Sequence, residues 1–419
     1  MPPPAAPPVL PLQPKASRLA GLRRLGPGLI TGGAGDDPAG IVTYTLVGAT
    51  TGLSQLWLLL LTTPMMIAVQ NSIARIAIVT GKSLPELTNR VYSRRTTLVM
   101  VGILAGANTL TIGADLQALA TVLGILTDLP PIHLLIPLTA LVAYLVMYHS
   151  YRTIKRVLLL LTLVLAVYVV NVFLARPDLL AVLENTFLPH IEWTAAWLLA
   201  ALGLLGTTIS PYLLFWQAAE EREEHNTVVQ ARSVSTDTLL GMSYSNLLAY
   251  CVILSGAVML HGQPVPPGTL PEIASALQPV AAHHAFLLFA LGIIVSGLLA
   301  IPVLAGSTAY AVADAFGWRA GMDNRISDAK GFYLVFLGSM LVGDLIEMSP
   351  LSTVDALYYS QVLDGMLLPL LLVIVLRLAN DRQLMGEYVN GRLSNALVGL
   401  ALLATSALTI TLFWQIMTA

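Results

Sequence analysis

The chain has 419 residues, 56% of them hydrophobic and only 11% charged, with a formal net charge of −2. Ordinary soluble domains carry about 25% charged residues, so the composition excludes a soluble enzyme or binding module and predicts an all-α polytopic membrane protein. The near-neutral charge offers no footprint for nucleic acid, and the single cysteine, Cys251, excludes an internal disulfide or a thiolate metal cluster.

Residues 1–24 form a Pro-rich segment without an apolar core of its own. They read as a disordered cytoplasmic tail rather than a signal peptide. Apolar runs of about 20 residues, enough to cross about 30 Å of hydrocarbon, follow at 27–51, 53–79, 97–126, 132–149, 157–175, 195–218, 238–260, 283–313, 332–349, 355–379 and 394–417. These eleven predicted spans make residues 25–419 one transmembrane domain. Lys and Arg gather at Lys15 to Arg24, Arg75 to Arg95, Arg152 to Arg156, Arg222 and Arg232, Arg319 to Lys330, and Arg377 to Arg392. With the amino terminus cytoplasmic, each of these groups falls on the cytoplasmic side or at a cytoplasmic helix end, as the positive-inside rule expects, and Arg176 alone does not. An odd number of spans then puts the carboxyl terminus outside. The expected setting is the lipid bilayer of the cell membrane, and the expected state a monomer.

Within the first span, Asp36 and Asp37 precede Pro38 in the run GGAGDDPAG, residues 32–40. An Asp at the centre of a membrane helix costs about 2.5–3.5 kcal/mol on insertion scales, so an intramembrane acid marks a functional site by default. The sixth span is interrupted in the corresponding place, at GTTISPY, residues 206–212. Paired interruptions at matched positions are the pointer to the binding site in transporters built from two repeats. Five spans per repeat force the second to be inverted, which places repeat one at about 25–176, repeat two at about 193–379 and an extra helix at about 394–417.

Pro38 and Pro211 each remove an amide donor and free carbonyl oxygens about one turn earlier. Those oxygens belong to Ala34 and Gly35 in one break and to Gly206 and Thr207 in the other. Irregular backbone at membrane depth is tolerated only where it is buried in protein or lines a cavity. A proline alone reads as readily as a kink, and the Gly-rich run at Gly32 to Gly35 as close helix packing. Two matched breaks, one carrying two carboxylates, favour a site.

The run from Gly26 to Ile30 (GPGLI) leading into Asp37-Pro38-Ala39-Gly40 resembles the first helix of the Nramp family, the natural resistance-associated macrophage proteins, whose signature there is Asp-Pro-Gly-Asn. Arg75 to Glu86 (RIAIVTGKSLPE) resembles the end of that family's second helix. Ser360 to Leu363 (SQVL) and Asp381 to Asn390 (DRQLMGEYVN) are similar to its tenth helix and the loop after it. The resemblance implies a LeuT-type inverted-repeat fold of 5+5 helices plus one. It also implies a divalent metal transporter without a cofactor, binding manganese or iron between the two broken helices and usually co-transporting protons.

Carried over position by position, the resemblance makes Asp37 the metal-binding Asp and Thr207 the carbonyl donor. Gly40 stands where the family has Asn, Ser210 where it has Met and Tyr212 where it has His. Thioether favours softer transition metals, whereas carboxylate, hydroxyl and carbonyl oxygens suit magnesium, calcium or manganese. The expected site is therefore hard, roomy and acidic, built from Asp37, Thr207 and Ser210 with Asp36 as an additional charge and Gly40 beside them. Such a site suits magnesium, which keeps several of its waters.

For protons, Asp115 resembles the family's Asp on the third helix, while the following acidic position is Ala118. Tyr212, with an unperturbed pKa of about 10, is a poor proton carrier at neutral pH. Asp115 and Asp36 are the available stations.

Gln361 and Asp364 lie one turn apart on the tenth span, either presenting an amide and a carboxylate to one cavity or simply joining helices. Asp344 and Glu347 read as solvated vestibule charges, and Glu220, Glu221, Glu223 and Glu224 around Arg222 as a solvated helix end. His149 and the pair His283 and His284 read as surface residues, Trp193 and Trp197 as interface anchors, and Cys251 as packing.

The expectation is a secondary transporter, not an enzyme, that moves a divalent cation, magnesium or manganese, by alternating access with possible proton coupling. The alternative on the same frame is a transporter of a small organic solute such as an amino acid or carboxylate, since half-helix N-termini can hold an anionic group.

Overall fold

The computed structural model describes residues 27–148, 163–223, 231–263, 266–278, 284–322, 324–346 and 351–418. Among the described residues every regular element is helical. The expected tail, His149, Glu224, His283 and Glu347 lie outside them.

The first span is two helices, α1 (Pro27–Ala34) and α2 (Pro38–Thr51), followed by α3 (Leu56–Thr80), a short α4 (Leu84–Val91), α5 (Arg94–Thr127) and α6 (Ile132–Tyr148). The expected fifth span is described from Leu163 as a 3-10 turn leading into α7 (Val167–Ala175), with α8 (Leu179–Phe187) in the connection after it. The sixth span is again two helices, α9 (Ala195–Thr208) and α10 (Pro211–Glu223). Then come α11 (Ala231–Met259), α12 (Ala285–Phe316), α13 (Lys330–Ile346), α14 (Thr353–Ala379) and α15 (Arg392–Thr418).

Seven stretches among the described residues are long and apolar enough to cross a membrane, from 25 to 34 residues. At 1.5 Å per residue even the shortest reaches about 37 Å. Local chemistry sets their ends: Ser93, Thr194 and Ser352 cap α5, α9 and α14 through side-chain oxygens, and Gly81 and Gly317 close α3 and α12 at φ of 62° and 69°.

Proline by itself does not break a helix here. Pro64, Pro137, Pro302 and Pro369 lie inside α3, α6, α12 and α14, which continue through them. The interruptions occur where proline follows a residue that leaves helical geometry, Asp37 in one case and the Ile209-Ser210 pair in the other.

The broken helices sit in the middle of the bundle. Pro38 to Ala49 of α2 and all of α9 from Ala200 to Thr208 are buried. α11 packs along α1 and α2, α9 along α14, and α5 against α12, α13 and α14. Two of these contacts are made backbone to backbone at glycine. A Cβ on Gly206 would collide with the Gln361 carbonyl and the Gly365 amide, and one on Gly48 with the Ile253 carbonyl. Small residues allow this approach, which replaces the hydrophobic drive that lipid does not supply. α15 is the peripheral element, with 22% of its apolar window buried, and packs on α14, α3 and α9.

Two expectations about helix ends are corrected. Asp344 is buried and accepts a hydrogen bond from the Thr139 hydroxyl at 2.7 Å, because α6 packs against α13 and covers it. Trp197 is also buried, its indole N–H donating to Ser54 at 3.1 Å, whereas Trp193 is exposed. His284 is exposed and Cys251 is buried, as expected.

A carboxylate and two hydroxyl-covered carbonyls at the helix breaks

α1 ends in a tight wrap. The Gly35 N–H reaches the carbonyls of Thr31 and Gly32 at 3.2 and 3.1 Å, and the Asp36 N–H reaches Gly33 at 3.2 Å. The Ala34 carbonyl is thereby left out of the helical ladder. Asp37 then turns extended (φ −66°, ψ 169°), and its Oδ1 accepts from the Gly40 N–H as the N-cap of α2, with Pro38 in the first turn. Proline suits that position because its missing N–H would be unsatisfied anyway.

Gly40 enters the site as the donor that orients Asp37. A Cβ there would lie 2.8 Å from both Asp37 Oδ1 and the Thr207 methyl, so a side chain at residue 40 needs a different packing of the two breaks.

In the second break Ile209 leaves the helix (φ −113°, ψ 50°) and Pro211 begins α10. The Ser210 hydroxyl donates back to the Thr207 carbonyl at 2.7 Å, so two of the expected oxygen donors cover one another. The Thr207 hydroxyl lies within bonding distance of the Gly203 carbonyl, at 2.8 Å, and of Gln361 Oε1, at 3.1 Å. Gln361 on α14 is thus joined to α9.

The two breaks meet through Tyr212. Its hydroxyl donates to the Ala34 carbonyl at 2.6 Å and lies 3.4 Å from Asp37 Oδ2. Asp115 on α5 accepts from the Ala39 N–H at 3.0 Å, fixing the start of α2 from the other side. Asp36 points away from Asp37 toward α11, where the Ser245 hydroxyl donates to its Oδ1 at 3.1 Å. Asp36, Asp37, Asp115 and Asp364 all lie within electrostatic reach of the Tyr212 hydroxyl, and all are buried. Asp364 has no hydrogen-bond partner on either oxygen.

Among the described residues no three His, Cys, Asp or Glu side chains gather closely enough to hold a metal ion by themselves. A cation at the breaks would therefore take part of its shell from hydroxyls, backbone carbonyls and water, the ligation that hard ions accept.

At the end of α10 the structure corrects the solvated helix end. Glu220 and Glu221 are buried. Glu220 accepts from the Thr31 hydroxyl at 3.1 Å, and Glu221 from the Gln217 amide at 2.6 Å. Arg222 pairs with Asp314 on α12 at 2.8 Å, and the Tyr310 hydroxyl donates to Glu223 at 2.9 Å. The acidic run is a seam tying α10 to α1 and α12, because those helices close over it.

Sequence reasoning brought Asp37, Thr207, Ser210 and Tyr212 to one place. It missed the Ala34–Tyr212 bond and Ser245 as the partner of Asp36. The only signal for the first was an aromatic hydroxyl directly after Pro211, and for the second there was none.

A helical bundle with two helices interrupted at matched positions, a carboxylate at one break and a carbonyl covered only by a side-chain hydroxyl at each, has the architecture of a membrane transporter of the LeuT type and not of an enzyme. The family model described as "Natural resistance-associated macrophage protein-like" matches residues 28–415, and the chain belongs to this family. The divalent metal cation transporter MntH of Deinococcus radiodurans is 27% identical over 418 residues, covering 95% of this chain and 92% of that protein. The protein of the same description from Aeromonas hydrophila is 27% identical over 400 residues, covering 90% and 93%. In structure, the chain is similar to the Eremococcus coleocola manganese transporter, at 18% identity and a TM-score of 0.78 over 95% of this chain and 87% of that one. It is also similar to Mhp1, a nucleobase-cation-symport-1 family transporter, at 13% identity and a TM-score of 0.58 over 93% and 92%.

Proposed function

We propose that this protein is a secondary transporter that carries a divalent metal cation, magnesium or manganese, across the cell membrane by alternating access. The observation that carries this reading is that the Tyr212 hydroxyl lies 2.6 Å from the Ala34 carbonyl and 3.4 Å from Asp37, with the Thr207 carbonyl of the second break held by Ser210. All of these donors are hard oxygens, which suit magnesium and manganese better than softer ions. The names of the relatives, divalent metal cation transporter and manganese transporter, support the same cargo.

In this reading a partly hydrated ion binds at Asp37, with the hydroxyls of Ser210 and Tyr212 turning from the carbonyls they cover. The broken helices α1, α2, α9 and α10, with α3 and α11, rock against the rest, and the repeats at about 25–176 and 193–379 are the moving and static halves' common building unit. Protons are the coupled ion, with Asp115, held against Ala39, and Asp36 as their stations. The monomer sits with its amino terminus in the cytoplasm, as the distribution of Lys and Arg supports.

The test is calorimetric titration of manganese, magnesium and calcium into purified protein beside Asp37→Ala. Saturable binding of magnesium or manganese that vanishes in the variant is the expected result. Folded protein that binds no divalent ion but takes up an organic solute would overturn it.

A further inference from the structure

Asp364 stands apart from the other acids around the breaks. Asp37 and Asp115 each face a backbone N–H, at Gly40 and Ala39, and Asp36 faces the Ser245 hydroxyl. Away from the breaks, Asp344 faces Thr139 and Asp314 faces Arg222. Asp364 is fully buried, in the middle of a 27-residue helix, and neither of its oxygens has a hydrogen-bond partner. Buried polar groups in folded proteins are almost always partnered, and a specific exception calls for a bound ion or water.

Its place on α14 says what would partner it. Asp364 follows Gln361, which is bonded to Thr207, by three residues, and it precedes Gly365, whose backbone packs on Leu202 and Gly206 of α9. It therefore lies beside the second break.

Asp37 lies within electrostatic reach of Asp364, and the Tyr212 hydroxyl lies within reach of both. Asp36 between α1 and α2, Asp115 on α5 and Tyr44 on α2 are the other ionisable groups around the breaks, and α9 carries none. Among the described residues, no basic side chain of α2, α9 or α10 lies near the breaks to neutralise these two carboxylates. Two carboxylates in such a space do not both stay charged by themselves: one takes up a proton, or a cation binds between them.

We infer that Asp364 is a cation ligand contributed by α14, which together with Asp37 places a carboxylate on each of two walls of the site. The inference rests on the divalent-cation reading above. It accounts for the lack of a three-acid cluster: magnesium and manganese with several retained waters take one or two carboxylates rather than an all-protein cage. A hydrated ion spans carboxylates that do not touch. A carboxylate from α14 also links the ion to an element packed on α9, so occupancy is felt at the Gly206–Gly365 contact where the two helices meet.

The test is calorimetric titration of manganese and magnesium into the full-length wild type, Asp364→Asn and Asp364→Glu in detergent, with thermal melts to show that each is folded. Asn reproduces the shape of a protonated Asp364, so it separates metal ligation from mere proton storage. The expected result is a loss of divalent affinity of at least about 100-fold in Asp364→Asn, since even outer-shell partners of a metal cost 10–100-fold, with affinity largely restored in Asp364→Glu. Wild-type affinity in a folded Asp364→Asn overturns the inference and leaves the divalent reading standing. Should Asp364→Asn fail to fold, Asp364→Ser, smaller and without a carboxylate, takes its place: lost divalent affinity in the folded variant supports the inference and wild-type affinity overturns it. Absence of divalent binding to the wild type overturns both.

Discussion

The Tyr212 hydroxyl donates to the Ala34 carbonyl at 2.6 Å, so a single hydrogen bond joins the helix break of residues 34–38 to the one at residues 208–211. The carbonyl is available because α1 ends at Ala34, and the phenol reaches it because Pro211 starts a new helix one residue earlier. Tyr212→Phe leaves a buried acceptor without a donor, at a cost of about 1–3 kcal/mol. The expected outcome is a lower melting temperature and cation uptake reduced about fivefold or more, read in proteoliposomes. Unchanged uptake would show that the bond is idle in transport.

Asp37 has two separable duties, a charge facing the breaks and a cap on α2. Asparagine is as good an N-cap as aspartate, whereas alanine loses about 0.5–2 kcal/mol. Asp37→Asn is therefore expected to melt like the wild type and Asp37→Ala below it, while both lose divalent uptake. Transport by Asp37→Asn would remove the carboxylate from the mechanism.

The Gly206 backbone lies against Gln361 and Gly365 with no room for a methyl group. Gly206→Ala is expected to destabilise the fold by at least about 1–3 kcal/mol through overpacking, visible as lost monodisperse protein in size-exclusion chromatography. Gly106→Ala on α5, where a Cβ meets nothing within 4 Å, is the matched control and should behave as wild type.

Arg222 and Asp314 close the seam at the end of α10, with side chains 21% and 8% exposed. Arg222→Gln leaves Asp314 without its cation, and removing one partner of a buried pair is more costly than an exposed pair is worth. Faster hydrogen exchange in α1 and α10 peptides is the expected outcome, since Thr31 and Glu220 belong to the same seam. Exchange matching the wild type would show that the seam does not hold the helices together.

What the sequence by itself determined is whatever local pattern controls. Long apolar runs set the spans, because their length must match the hydrocarbon thickness. Asp-Pro and Ser-Pro at matched positions of the first and sixth spans mark the two breaks, and Asp37 at the first of them was legible as a site residue for that reason. Composition alone excluded a soluble protein.

Only the tertiary structure decided where the buried polar groups point. Asp36 and Asp37 are neighbours in sequence, yet one bonds Ser245 on α11 and the other caps α2. Glu220, Glu221 and Asp344 looked like charges in water, and helices closing over them made them buried partners of Thr31, Gln217 and Thr139. Asp364 and Gln361 share a helix face, yet Thr207 engages the amide and nothing engages the carboxylate. Each of these outcomes, apart from the Asp37 cap on Gly40 and the Gln217–Glu221 bond, turns on residues far apart in the chain. Periodicity reports which residues share a face, and only packing decides what that face meets.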